Sequence, residues 1–274
     1  MLRGTGAAKA GKTGATKPRK RGSQGWVPNH HGAWAMLVVP WVLGFVHVVR
    51  HGGDALSSLL MLVVWFLGYF TFFATSQWLK SRFKPRFFPA VRTYAVATAV
   101  LGVALLWLRP QWWSWALVFA PLVTLSLWLA WRRRDRSLLS GMSTVAAASM
   151  VPLVLGSDGL WPWTVAPEVV GISLVCFGYF FGTVLYVKTL IRERGSNGWV
   201  IASVLWHVAC VALAFALPGT MPRIAVASFF AIMAVRAWLV PWWGPLSGRT
   251  VTAKTAGLGE FAATAALMAV LLIL

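Results

Sequence analysis

Acidic side chains are nearly missing from this chain: six Asp and Glu stand against 25 Lys and Arg in 274 residues. So few carboxylates leave little for chemistry that needs clustered acids, and a formal charge of +19 points toward anionic surroundings. Cysteine is as scarce. Cys176 and Cys210 each fall inside an apolar run, where they read as small buried hydrophobes and not as a disulfide or a metal pair. The chain has no C-x-x-C, no P-loop and no dinucleotide fingerprint. No heme, flavin, iron–sulfur, nucleotide or metal cofactor is therefore expected. Charged residues make up only 11% of the chain against 58% hydrophobic, and the mean hydropathy is +0.70. That balance lies well outside the range of soluble domains.

What the chain does have is apolar length. Nine runs cover residues 33–49, 55–75, 90–108, 112–131, 139–156, 167–187, 199–217, 222–243 and 256–274. A bilayer core about 30 Å thick takes roughly 20 helical residues per crossing. The runs are continuous and do not alternate apolar with polar, so barrel strands are a poor alternative. The expected fold is all-α: a polytopic bundle of about nine transmembrane helices forming one domain over residues 27–274. Residues 1–26 are a different material, with Arg3, Lys9, Lys12, Lys17, Arg19, Lys20 and Arg21, no acid and almost nothing large and apolar. That composition predicts a disordered cytoplasmic tail that anchors topology and touches anionic lipid, with nucleic acid not expected as a partner.

Lys and Arg orient the chain. With the amino terminus in the cytosol, "KSRFKPRF", "RRRDRS", "RERGSNG" and "GPLSGRTVTAK" join the tail on the inside. Only Arg50, Arg109 and Arg223 fall in outer connections. An odd number of spans then leaves the carboxyl terminus outside. Tryptophans follow the two interfaces expected of an aromatic belt: Trp112, Trp113, Trp115, Trp161 and Trp163 outside, and Trp78, Trp131, Trp199, Trp242 and Trp243 inside. Gly178 and Gly182 form a G-x-x-x-G for close helix contact, with Gly171 upstream, while Pro40, Pro121 and Pro152 are expected to bend their spans.

Polar residues inside apolar runs carry the functional reading. Arg236 falls roughly 20 Å below the outer end of the eighth span at helical rise, and Glu260 lies about one turn into the ninth from the inside. An unpaired charge at that depth costs at least ~2.5 kcal/mol, so each is the other's expected partner. A helix-clamping salt bridge and a ligand site are both open readings of that pair. Tyr179, Gly182, Tyr186, Thr189 and Glu193 share one helical face that descends to Lys188, Arg192 and Arg194. His207, inside the seventh span, is expected more as an interhelical hydrogen-bonder than as a ligand. His30 and His31 stand at the cytoplasmic mouth of the first span, level with Glu193, Lys188 and the Arg132–Arg134 cluster. One reading of these histidines is interfacial packing and a helix start after Asn29. The other gathers His30, His31, Arg133, Tyr186, Lys188, Arg192, Glu193, His207, Arg236 and Glu260 around one cytosol-facing, cationic pocket. Such a pocket would suit a phosphate, diphosphate or carboxylate headgroup.

"PNHHGAWAMLVVPWVLG", "RRRDRSLLSG" and "YVKTLIRERG" together resemble the YwiC-like family of bacterial membrane proteins, over most of the chain from residue 27 onward. The resemblance implies a multi-pass protein of the bacterial plasma membrane and carries no activity with it. It directs attention to His31, Gly32, Trp34, Arg133, Arg136, Arg192, Glu193 and Arg194. Nine helices around a cytosol-facing cavity are also similar in architecture to the UbiA-type intramembrane prenyltransferases. Those enzymes hold magnesium on a diphosphate with two Asp-rich motifs, and the corresponding places here read "SQWLKSRFKPRF" and "YVKTLIRERG". Asp54, Asp158 and Glu168 face outside, and Asp135, Glu193 and Glu260 are too few for two paired sites, so magnesium-dependent prenyl transfer is disfavoured.

Three functional readings follow. The first is an integral membrane protein binding an anionic lipid or isoprenoid-like amphiphile in the inner leaflet. The second is a small-anion transporter, disfavoured by the absence of an internal repeat and by polar groups that sit off the midplane. The third is a non-catalytic structural or assembly protein in which the same charges hold helices together.

Overall fold

The computed structural model describes residues 25–28, 31–159, 164–246 and 251–273. Among these, nine helical segments are long and apolar enough to cross a membrane, as the runs predict. The long helices are α1 (His31–Arg50), α2 (Ala55–Lys80), α3 (Phe88–Leu108) and α4 (Ala116–Trp131). They continue with α5 (Leu138–Ser149) and the short α6 (Val151–Leu155), which together make one crossing. The last four are α7 (Pro167–Ile191), α8 (Asn197–Ala214), α9 (Arg223–Leu246) and α10 (Ala253–Leu272). Residues in lipid must satisfy their own backbone, and continuous helix does so within each run.

The prolines act differently from one another. Pro40 lies inside α1 and Pro121 inside α4, and neither interrupts its helix. Pro152 stands at the start of α6, where the fifth crossing breaks at Met150 and restarts. The fifth crossing is interrupted there, with Pro152 in the first turn of α6, where the missing N–H of proline costs nothing.

α7 is the centre of the bundle: 72% of its span is buried within the protein, against 11% for Pro85–Leu108. Its small residues explain the placement. A Cβ at Gly171 would lie 2.7 Å from Met221 Cγ, one at Gly178 3.1 Å from Cys210 Sγ, and one at Gly182 2.6 Å from His207 Nε2. Without side chains at these three points, the segments after α7 close directly onto its backbone, which is how helices associate where lipid is as apolar as leucine. α8 packs on both α7 and α9, whereas α3 leans on α2 at the rim of the bundle.

Several loops end helices with defined caps. Asp54 accepts the Ser57 amide at 3.1 Å and the Ser57 hydroxyl at 2.6 Å, opening α2. It also accepts from Arg109 Nε at 3.2 Å, pinning the end of α3 to the start of α2. The Asp54 carboxyl, outside the spans, is held below the usual carboxylate range, chiefly by the Ser57 hydroxyl and amide and then by the Arg109 charge. Ser157–Asp158 (β1) pairs antiparallel with Thr164–Val165 (β2) at the same end.

The tryptophan belt is realised in part. Trp113, Trp131, Trp242 and Trp243 are exposed, but Trp112 and Trp115 are buried. They belong to a 3-10 turn over Pro110–Trp115 that tucks under the end of the bundle, so the fourth helix begins at Ala116 and not at residue 112. Trp115 Nε1 donates to Ser157 Oγ at 3.0 Å. That bond satisfies the Trp115 indole on burial, whereas Trp112 Nε1 is buried with no hydrogen-bond partner among the described residues. Trp161 and Trp163 lie outside the described residues.

Candidate functional site

Two groups of polar residues stand apart from the apolar packing. The first is buried among α7, α9 and α10. Arg236 Nη2 lies 2.8 Å from Glu260 Oε1, with both side chains mostly buried. The other carboxylate oxygen of Glu260 accepts from Thr183 Oγ1 at 2.7 Å and from Tyr179 OH at 3.3 Å. Tyr179 OH also meets Thr264 Oγ1 at 2.8 Å and the Glu260 carbonyl at 3.1 Å. The Arg236 guanidinium stacks over the Tyr186 ring, 4.2 Å from its centre. Each charge thus meets its opposite and a polar or aromatic neighbour, the condition for tolerating ions in lipid. Arg236 Nε remains buried with no hydrogen-bond partner among the described residues.

The expected Arg236–Glu260 pair therefore forms. Thr183 and Thr264 belong to it as well, and helical spacing signals both: Thr183 is four residues after Tyr179 and Thr264 four after Glu260, each pair on one face.

His207 sits beside this group. Its Nδ1 is 2.7 Å from the Ser203 carbonyl of its own helix, so that nitrogen donates, and Nε2 points at the bare backbone of Gly182. Among the described residues Nε2 has no hydrogen-bond partner. The expected interhelical hydrogen bond is replaced by close packing on glycine.

The second group is the end of the bundle where α2, α4 and α7 finish and α10 begins. Lys80 Nζ of α2 pairs with Asp135 Oδ2 of the α4–α5 connection at 3.1 Å. α5 then packs against α7 through Gly141, whose Cβ would touch Val184. Arg194 beyond α7 donates to the Leu190 carbonyl and, at 2.7 Å, to the Val251 carbonyl ahead of α10. These ties make one continuous face from four connections. Arg82, Lys84, Arg133, Arg134, Arg136 and Arg192 are exposed on it. Among the described residues none of the six has an acid within ion-pair distance.

The other sequence candidates divide between the two groups. Tyr186 is in the buried one; Arg133 and Arg192 are on the basic face. Lys188 lies over the Trp199 ring at 4.6 Å. Glu193 follows α7, half-exposed, with its amide bonded to the Lys188 carbonyl. His31 is the first residue of α1, and His30 lies outside the described residues, as does the basic tail before residue 25. Among the described residues no three His, Cys, Asp or Glu side chains gather as metal ligands.

Comparison with known proteins adds relatives. Residues 27–156 match the family model described as YwiC-like protein. The chain is 25% identical over 239 residues to "Uncharacterized protein YwiC" of Bacillus subtilis (strain 168), covering 85% of this chain and 91% of the relative. It is 24% identical over 250 residues to an "Uncharacterized protein" of Haemophilus influenzae, covering 90% and 97%. No solved structure matches.

Proposed function

We propose that the chain is a member of the YwiC-like family, whose model matches residues 27–156, and a multi-pass protein of the bacterial plasma membrane whose basic end faces the cytosol and binds an anionic amphiphile. The ligand class is a phospholipid or an isoprenoid-like molecule, held by its phosphate or carboxylate. One observation carries this reading. Three of the six acids are committed to internal ion pairs, Asp54 to Arg109, Asp135 to Lys80 and Glu260 to Arg236, while six exposed cations of the basic face have no acid partner among the described residues. A cation at the membrane surface attracts anionic lipid by about 1 kcal/mol, and arginine matches phosphate with a two-pronged donor set.

The buried group and the basic face divide the polar residues between two roles. Arg236, Glu260 and the hydroxyls around them bind one another, as a clamp joining α7, α9 and α10 would. Ligand recognition falls to the rim.

The test is lipid retention in nanodiscs of mixed phosphatidylglycerol and phosphatidylcholine, read by mass spectrometry of the purified protein. Wild type is expected to enrich phosphatidylglycerol. The triple variant Arg134→Gln, Arg136→Gln, Arg192→Gln should lower that enrichment on the order of a hundredfold at about 1 kcal/mol per charge. Equal retention of both lipids by wild type would reject the reading.

A further inference from the structure

α1 finishes in "HVVRH", with His47 in its last turn and His51 just beyond its end. A spacing of four residues puts two side chains on one helical face, and it is the spacing at which helical histidines offer two ligands to one metal ion. Here the two rings do meet. His47 and His51 are stacked, with centres 4.1 Å apart and planes 27° from parallel. His51 Nδ1 lies 2.8 Å from the His47 carbonyl. A carbonyl only accepts, so Nδ1 carries the proton and Nε2 of His51 keeps its lone pair. Metal-binding imidazoles are held in one tautomer by a bond of this kind.

The pair stands at the end of the bundle opposite the basic face, where α1 finishes and α2 and α7 begin. His47, Arg50 and His51 line a cleft between α1, α7 and α10, with Leu43, Ile172 and Leu271 among its apolar walls. Two fixed charges bear on it. Glu168, in the first turn of α7, acts on His47 through its charge while its Oε1 accepts the Thr220 amide at 3.1 Å. Arg50 is drawn toward α10, where its Nη1 donates to the Leu272 carbonyl at 3.1 Å. The carboxylate offsets the guanidinium, which leaves the imidazole lone pairs to decide what binds. Stabilisation of the helix end does not account for the second histidine. Arg50 already supplies a cation to that carboxyl terminus, and His51 is exposed beyond it.

We propose that His47 and His51 form a two-imidazole site for a divalent transition ion of the zinc, nickel and copper class. Imidazole nitrogens suit these ions, whereas magnesium and calcium take oxygen ligands. A zinc–nitrogen bond is about 2.0–2.1 Å long, so one ion bridges nitrogens up to about 4.2 Å apart. Rings whose centres are 4.1 Å apart bring their nitrogens within that reach after a small side-chain rotation. Among the described residues no third His, Cys, Asp or Glu side chain joins the pair, so the other coordination positions fall to water or an incoming ligand. Two protein ligands make the ion exchangeable, unlike one in a closed four-ligand structural site. The site lies away from the basic face and does not depend on the lipid reading.

The test is a zinc chloride titration of the full-length protein in detergent, read by Tm and by the zinc retained per chain after equilibrium dialysis. The chain has five histidines, so His47→Gln and His51→Gln are compared with a control, His30→Gln/His31→Gln. Wild-type Tm should rise by about 5–10 °C when free zinc reaches a hundred times Kd. Either single variant should weaken that response at least about tenfold in zinc concentration, because the lost ring takes the effective concentration of the chelate with it. The zinc count should fall by one in both, and the control should keep the site. His51 is exposed, so His51→Gln decides the matter even where His47→Gln folds poorly. An unchanged zinc count and response in His51→Gln would overturn the site, as would loss of all zinc binding in the control. Magnesium chloride that raises Tm as far as zinc would overturn it too, since charge screening and not imidazole ligation would then be at work.

Discussion

Removing one member of the buried ion pair should cost far more than removing both. Arg236 and Glu260 are 2.8 Å apart, with side chains only 18% and 14% exposed. In Glu260→Gln the amide oxygen still accepts from Thr183, but Arg236 keeps its charge with no carboxylate to answer it. In Arg236→Leu the carboxylate is stranded among Tyr179, Thr183 and Thr264. Breaking a buried pair from one side costs about 3–5 kcal/mol, whereas replacing both ions with uncharged groups is often close to neutral. At about 2–4 °C per kcal/mol for a chain of this order of size, each single variant should melt about 6–20 °C below wild type. The double variant Arg236→Leu/Glu260→Gln should recover most of that loss. Intrinsic fluorescence of the 18 tryptophans follows unfolding in detergent, and the four proteins form a double-mutant cycle. Single variants within about 1 °C of wild type, or a double variant as unstable as the two losses added, would refute the clamp.

Two further outcomes are expected. Gly182→Ala would set a Cβ 2.6 Å from His207 Nε2 and 3.1 Å from Trp206 Cδ1; overpacking of this kind costs about 1–3 kcal/mol, and adding His207→Ala should restore part of the lost Tm by opening the space. Asp54, whose folded carboxyl lies below its ordinary value, contributes stability that is complete above about pH 4 and is lost as pH falls through the lower, folded value. Plots of Tm against pH should therefore drop on the acid side in wild type and flatten there in Asp54→Asn, which keeps an acceptor for Ser57 without the charge; parallel plots would disprove that role.

The crossings were legible in the sequence because a bilayer imposes one requirement on every residue at once. Roughly 20 consecutive apolar residues are needed, and a helix is the structure that satisfies their backbone. The Arg236–Glu260 pair was legible for a related reason, since two opposite charges at similar depth have few other partners in lipid. The glycine contacts of α7 followed from spacing alone. Helical periodicity assigns a residue to a face but does not say which helix covers that face. The roles of Thr183 and Thr264 appear only when α7 and α10 are side by side, and the Tyr186 ring finds Arg236 only through the approach of α9. Trp112 and Trp115 read as interface residues by type, yet a 3-10 turn carries them inward, where Ser157 offers Trp115 a partner. Span count and the placement of charge were thus readable in one dimension, because solvent sets them. The partners of the buried polar groups came from packing, which joins residues far apart in the chain.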